Sequence, residues 1–231
     1  MKVGIMQPYF FPYLGYWQLI NAVDRYVVYD DVTYIKGGWI NRNNILLGGA
    51  KHLITLPLDQ SSSFKNINEI GITSNEIAIN KVIKTLQSAY SKAPYYPQIM
   101  PMVEGLIRNN SSIATLNYDS ILTIDRYLGI ETEILLSSEL KKDSTLKGQE
   151  KVIHINKLLG SDSYYNAIGG QALYQREAFE KCGMELHFVQ MGSVQYHQFK
   201  NEFVPGLSII DVLMFNSVEK IQEFLQEYTL V

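Results

Sequence analysis

Four stretches carry residues that together could serve a small-molecule reaction. Asp30 and Asp31 are adjacent carboxylates, the residue type that takes a proton from an attacking ammonium or binds a divalent cation. Trp39-Ile40-Asn41-Arg42-Asn43 offers a ring to stack on a sugar or base, two amides, and a guanidinium to fork onto phosphate or carboxylate. Lys36 adds a cation just before Trp39, and Tyr34 adds a second ring. Gln7, Tyr9, Tyr13 and Tyr16 fall in one short stretch, and Gly169-Gly170 can bring backbone close to a ligand. Each group also has a plainer reading. The aspartates can cap a turn, Gln7 can satisfy backbone groups, and an Asp–Arg pair can hold a long loop.

The elements that must position these residues follow from periodicity. Residues 3–6 read as a strand, and Pro8 and Pro12 exclude regular helix between them. Residues 14–23 read as a helix and 25–29 as a second strand, the size of a βαβ unit. Residues 32–49 are expected to be irregular and 52–58 a strand. Ser74 or Asn75 can cap a helix to Tyr90 with Ile77, Val82, Ile83 and Leu86 inward. Helices are expected over 102–107 and over 113–128, the latter ended by Gly129, then a strand over 133–136 and a polar loop to 147. Helices over 149–159 and 172–182, strands over 163–166 and 184–190, and helices over 209–215 and 218–228 complete the chain.

Strands alternate with helices at both ends, around a mainly helical stretch at about 75–130. That order predicts an α/β fold of one domain over 1–231, with a mainly parallel, Rossmann-like sheet, a helical insertion and C-terminal helices. Ligands of such sheets settle outside the carboxyl ends of the strands. Residues 7–16, 30–34 and 166–170 fall at those ends, so a shared pocket is expected.

Composition excludes several classes. The 231 residues carry 20 Lys+Arg against 23 Asp+Glu, a formal charge of −3 without basic clusters. Duplex nucleic-acid binding, which relies on many cationic contacts to phosphate, is therefore not expected. Hydrophobic residues at 46% are enough for a core, and no apolar stretch reaches the ~18–20 residues of a membrane span. The N-terminus shows no signal-peptide pattern, so a cytoplasmic protein is expected. The one cysteine, Cys182, cannot form an intrachain disulfide and reads as a half-buried thiol. His52, His154, His187 and His197 lack ligand spacing, so no metal site is assigned.

Tyr13-x-Gly15-Tyr16 at a strand–helix junction resembles the layout of nucleotidyltransferases and pantothenate synthetases. Those enzymes place His-x-Gly-His there, against phosphate at a helix N-terminus. Tyrosines stand here where the histidines would. Longer stretches resemble the WbqC-like protein family. They are Gly4-Ile5-x-Gln7-Pro8-x-x-Phe11-Pro12-Tyr13-x-Gly15-Tyr16, Asp30-Asp31-Val32-x-Tyr34, Trp39-x-Asn41-Arg42-Asn43, Ala93-Pro94-Tyr95-Tyr96, Ser137-Ser138-x-Leu140, Gly169-Gly170 and Leu207-Ser208-Ile209-Ile210-Asp211. Thr33 departs from the glutamine expected by that pattern.

The resemblance implies bacterial surface-polysaccharide (O-antigen) biosynthesis and a transferase that attaches glycine to the amine of a nucleotide-linked amino sugar. Its activated carboxylate would come from ATP with Mg²⁺, from aminoacyl-tRNA or from another acyl carrier. Asp30 or Asp31 would then be catalytic. Gln7, Tyr9, Tyr13, Tyr16, Tyr34, Lys36, Trp39, Asn41, Arg42, Asn43, Gly169 and Gly170 would bind substrate. A glycosyltransferase of the same pathway and a non-catalytic sugar or nucleotide binder are the alternatives.

Overall fold

The computed structural model of the chain describes residues 1–200 and 202–231. Its first strand, β1 (Lys2–Met6), passes through a prolyl turn into helix α1 (Leu14–Asn21) and returns as β2 (Arg25–Val28), parallel to β1. Gly4 is crowded here: a Cβ would lie 2.9 Å from the Tyr26 ring.

A hairpin of β3 (Arg42–Leu47) and β4 (Ala50–Thr55) follows, then a small pair, β5 (Leu58–Asp59) and β6 (Gly71–Ile72). Thus β3 occupies the stretch expected to be irregular. Gly48 and Gly49, both with positive φ, make the turn that brings the two strands together.

Three helices form the middle of the chain: α2 (Glu76–Tyr90), α3 (Tyr96–Asn109) and α4 (Ile113–Leu128). Asn75 caps α2 by accepting from the Ile77 and Ala78 N–H groups. Ile77 is 83% exposed rather than inward, because it precedes the buried stripe that starts at Ile79. Helix α3 begins earlier than expected, with Pro97 in its first turn, and runs through Pro101. Pro101 forfeits one backbone bond, yet burial of Ile99, Met100, Val103 and Ile107 continues the helix.

Next come β7 (Glu133–Leu136), α5 (Gly148–Leu158), β8 (Ser163–Ala167), α6 (Arg176–Glu180) and β9 (Glu185–Met191). The helix expected over 172–182 is instead a 3₁₀ turn, Ile168–Leu173, followed by the short α6. Between them Tyr174 packs edge-on against Tyr164 and Phe179, which fixes the break. Helices α7 (Ile209–Phe215) and α8 (Val218–Leu225) precede β10 (Tyr228–Leu230), so the last helix ends three residues before the expected 228, and a strand not expected from sequence starts there.

The central sheet has the order β10-β9-β8-β1-β2-β7, parallel except for β10. Val3, Ile5 and Val27 face a core with Val152 of α5 and Phe179 of α6, while Tyr26 and Val28 face the larger core with α1, α4 and α8. No helix is long and apolar enough to cross a membrane among the described residues. From β1 the chain runs to β2 and β7 on one side, then returns to β8 on the other. The order therefore reverses between β1 and β8, where open α/β sheets leave a crevice.

Candidate functional site

A hollow of about 540 Å³ lies at that crevice. Its floor is Ile5, Met6 and Gln7 from the end of β1, with Asn166 and Ala167 from the end of β8. Gly169, Gly170 and Leu173 of the 3₁₀ turn close one side, and Gly148 and Gln149 of the first turn of α5 another. Tyr9, Tyr13 and Trp39 form the aromatic wall.

That wall is held by amides. The Phe10 N–H donates to the Trp39 carbonyl at 3.0 Å, tying the prolyl turn to the Trp39 loop. Asn43 Nδ2 donates to the Phe10 and Phe11 carbonyls at 3.0 and 2.7 Å, holding Phe11 at a φ of +42°. Asn117, fully buried on α4, donates to the Pro8 and Ile40 carbonyls. Trp17 Nε1 donates to the Pro12 carbonyl at 3.1 Å. The turn has few backbone partners of its own, so these side chains satisfy it.

Glycines set the remaining contours. A Cβ on Gly15 would lie 2.5 Å from the Tyr13 ring. The space beside Gly15 is thus taken by Tyr13 itself. A Cβ on Gly170 would lie 3.1 Å from the Asn166 amide, which donates to the Tyr164 hydroxyl and accepts from the Ala167 N–H.

The residues singled out from sequence divide into two sets. Gln7, Tyr9, Tyr13, Trp39, Gly169 and Gly170 line the hollow. The others hold its surroundings. Tyr16 is fully buried behind the turn, where its hydroxyl donates to the Gln7 carbonyl at 3.0 Å, and burial raises its pKa. The Tyr34 hydroxyl donates to Asn41, whose Nδ2 donates to the Leu56 carbonyl. Arg42 donates to the Gly38 carbonyl and lies 5.8 Å from the Trp39 ring centroid, a cation–π contact that fixes the back of Trp39. Lys36 is exposed and outside the lining.

The aspartates sit below. Asp30 is buried and accepts from the Ser138 N–H, the Ser138 hydroxyl and the Asn68 amide. Asp31 Oδ2 accepts from Lys142 Nζ at 2.9 Å and Lys151 Nζ at 3.0 Å, two ammoniums whose side chains are 5% and 10% exposed. Partial burial pulls the Asp31 pKa upward, but the Ser137 hydroxyl and the two lysines outweigh it and hold the carboxyl below its usual range. Lys151 also lies 4.9 Å from the centroid of the Tyr29 ring, and that ring lines the hollow. Asp30 accepts at both oxygens, whereas Asp31 spends Oδ2 on two ammoniums and its buried Oδ1 has no hydrogen-bond partner among the described residues; the two ammoniums repel a cation there, and among the described residues no group of three or more His, Cys, Asp or Glu side chains gathers as a cation site. The residues present therefore do not fit a Mg²⁺ at Asp30-Asp31.

Sequence reasoning missed Tyr29, Gln149, Lys142, Lys151 and Tyr174. The Lys147-Gly148 step before a helical run was the available signal for Gln149. Nothing local marks Lys142 and Lys151 as partners of Asp31.

Among the described residues, none that lines the hollow carries a formal charge. Its polarity comes from the Gln7, Gln149 and Asn166 amides, the tyrosines, and the N-terminal end of α5, where unpaired N–H groups and the helix dipole favour an anion. Such a site can stack a ring and orient a neutral or anionic polar group.

A model of the WbqC-like protein family matches residues 7–223. The uncharacterised protein Rv1507c of Mycobacterium tuberculosis is 26% identical over 231 residues, an alignment covering 97% of each chain.

Proposed function

The chain belongs to the WbqC-like protein family, and we propose that this protein is a transferase that attaches an amino acid, glycine, to the amine of a nucleotide-linked amino sugar in bacterial surface-polysaccharide biosynthesis. The carrying observation is the hollow at the β1/β8 crevice, with an aromatic wall on one side and a helix N-terminus with two glycines on the other. Tyr9 and Trp39 stack on the sugar or base, since flat rings bind such faces with little loss of rotamer freedom. The first turn of α5 and the Gly169-Gly170 backbone face the phosphate. Gln7 and Gln149 orient hydroxyls.

The amine lone pair attacks an activated carboxyl carbon, the C–N bond forms, and the carrier leaves with the bonding pair. The ammonium proton passes to water. Asp30 and Asp31 enter as the groups that hold the floor: a carboxylate carrying two ammoniums is a weak base. Aligning the reactants supplies the acceleration.

The uncharged lining favours one second reading, a non-catalytic amino-sugar binder. Mass spectrometry of a nucleotide-linked amino sugar, incubated with the protein and either glycine with ATP or glycyl-tRNA, separates them. A glycyl mass increment supports the transferase. An unchanged sugar that nonetheless stabilises the protein against heat supports the binder, and transfer of the sugar itself supports a glycosyltransferase.

A further inference from the structure

The aromatic wall has a second side. Behind it lies a smaller hollow of about 290 Å³, closed by Asn44 and Lys51 of the β3–β4 hairpin and by Gly206. Tyr9, Tyr13 and Trp39 line both hollows.

Lys51 brings the smaller hollow its one formal charge. Its Nζ lies 3.5 Å from the point a Cβ on Gly206 would occupy, and among the described residues it makes no ion pair. No carboxylate lines the same space among the described residues. Asn43 is committed, with Nδ2 on two carbonyls and Oδ1 on the Asn44 N–H. The Asn44 side-chain amide and the Tyr9 and Tyr13 hydroxyls have no such partners among the described residues, so they remain as donors beside the ammonium.

We propose that this smaller hollow is a pocket for a small carboxylate substrate, gripped by the Lys51 ammonium and the Asn44 amide, across the aromatic wall from the larger hollow. One cation matches one negative charge, which fits a carboxylate better than a phosphate dianion. The volume equals roughly ten waters at ~30 Å³ each, room for an amino acid or its acyl derivative but not for a nucleotide. Because both hollows share three rings, ligands in the two would touch the same side chains. That proximity is what a group transfer needs, with reacting atoms brought within about 3–3.5 Å. The assignment of the carboxylate as the amino acid held before ATP activates it as an acyl-adenylate, with pyrophosphate leaving, rests on the transferase reading; the pocket's preference for a carboxylate does not.

The test follows backbone and Asn side-chain amide resonances by NMR while acetate or N-acetylglycine replaces chloride at constant ionic strength. Acetamide and inorganic phosphate are the controls. Both carboxylates are expected to give saturable shifts at Asn44, Lys51 and Tyr13, and acetamide none. Lys51→Met, an exposed hairpin position that the fold tolerates, should weaken carboxylate binding about tenfold or more, the worth of a charge-assisted hydrogen bond. Leu173→Ala, in the other hollow, should leave it unchanged. Equal shifts with acetamide, equal affinity in Lys51→Met, tighter binding of phosphate, or no saturable shift with either carboxylate would overturn the proposal. Carboxylate binding without any glycyl transfer would remove the transferase and keep the pocket. Transfer with an unchanged requirement for the carboxylate donor in Lys51→Met would remove the pocket and keep the transferase.

Discussion

Lys151 Nζ lies 3.0 Å from Oδ2 of Asp31 and 3.2 Å from its backbone carbonyl, joining the end of β2 to the first turns of α5. The same ammonium rests on the Tyr29 ring, so one side chain connects Asp31 to a ring that lines the hollow. Asp31 is thereby a positioning residue for the α5 N-terminus.

Asp31→Asn leaves two buried ammoniums without their carboxylate, and the expected loss of stability is about 3 kcal/mol. Lys151→Met should cost less, because Lys142 still pairs with Asp31. A folded-state pKa below the unfolded value of about 3.9 stabilises the fold above that pH, and the gain is lost as pH falls through the folded value. Urea denaturation should therefore show the gap between wild type and Asp31→Asn at neutral pH and show it closing below about pH 4.

Asp125 on α4 has the opposite sign. Both its carboxyl oxygens are buried without a hydrogen-bond partner among the described residues, and burial pushes its pKa up to about 8. The folded state then binds a proton that the unfolded state has released, so stability falls as pH rises from about 4 to about 8. The full span is on the order of 5 kcal/mol. Asp125→Asn should flatten thermal stability over that range and raise it at pH 8; an unaltered pH profile would show that Asp125 is not the group responsible.

Asn43→Ala removes the two donors that hold the Phe10 and Phe11 carbonyls. The expected destabilisation is about 2 kcal/mol, from leaving buried acceptors unpaired. Hydrogen exchange should quicken at Phe10, whose amide bonds Trp39, while the amides of β8 and β9 keep their protection.

The elements that carry local signals were legible in the sequence: the β1-α1-β2 unit, the Asn75 cap and the Gly129 stop each announce themselves within a turn of chain. The β3–β4 hairpin was legible too, through Gly48-Gly49 between Arg42–Leu47 and Ala50–Thr55, but the density of recognition residues at 39–43 masked it. The strand β10 has three residues and exists only because β9 offers an edge, information that the C-terminal residues do not contain. In the site, the Gln7, Tyr9, Tyr13 and Gly169-Gly170 positions converge because strand ends in a parallel sheet share a rim, and Trp39 joins them through the Phe10 N–H. The true partners of Asp31 lie more than a hundred residues along the chain, and pairing over that distance leaves no spacing to read.

On the proposed function, the β1/β8 crevice binds a nucleotide-linked amino sugar against Trp39. Of the two tryptophans, Trp17 is fully buried and Trp39 is 43% exposed at the rim, where it lines both hollows; the smaller one has no room for a nucleotide, so a response of Trp39 to a nucleotide-linked ligand reports on the larger. Titrating the protein with nucleotide-linked amino sugars while recording tryptophan emission should give a saturable change for at least one of them, and Trp39→Phe should abolish that change while weakening binding about tenfold, the worth of one stacked ring. Binding measured calorimetrically that leaves Trp39 emission untouched, or no binding by any nucleotide-linked amino sugar, would contradict it.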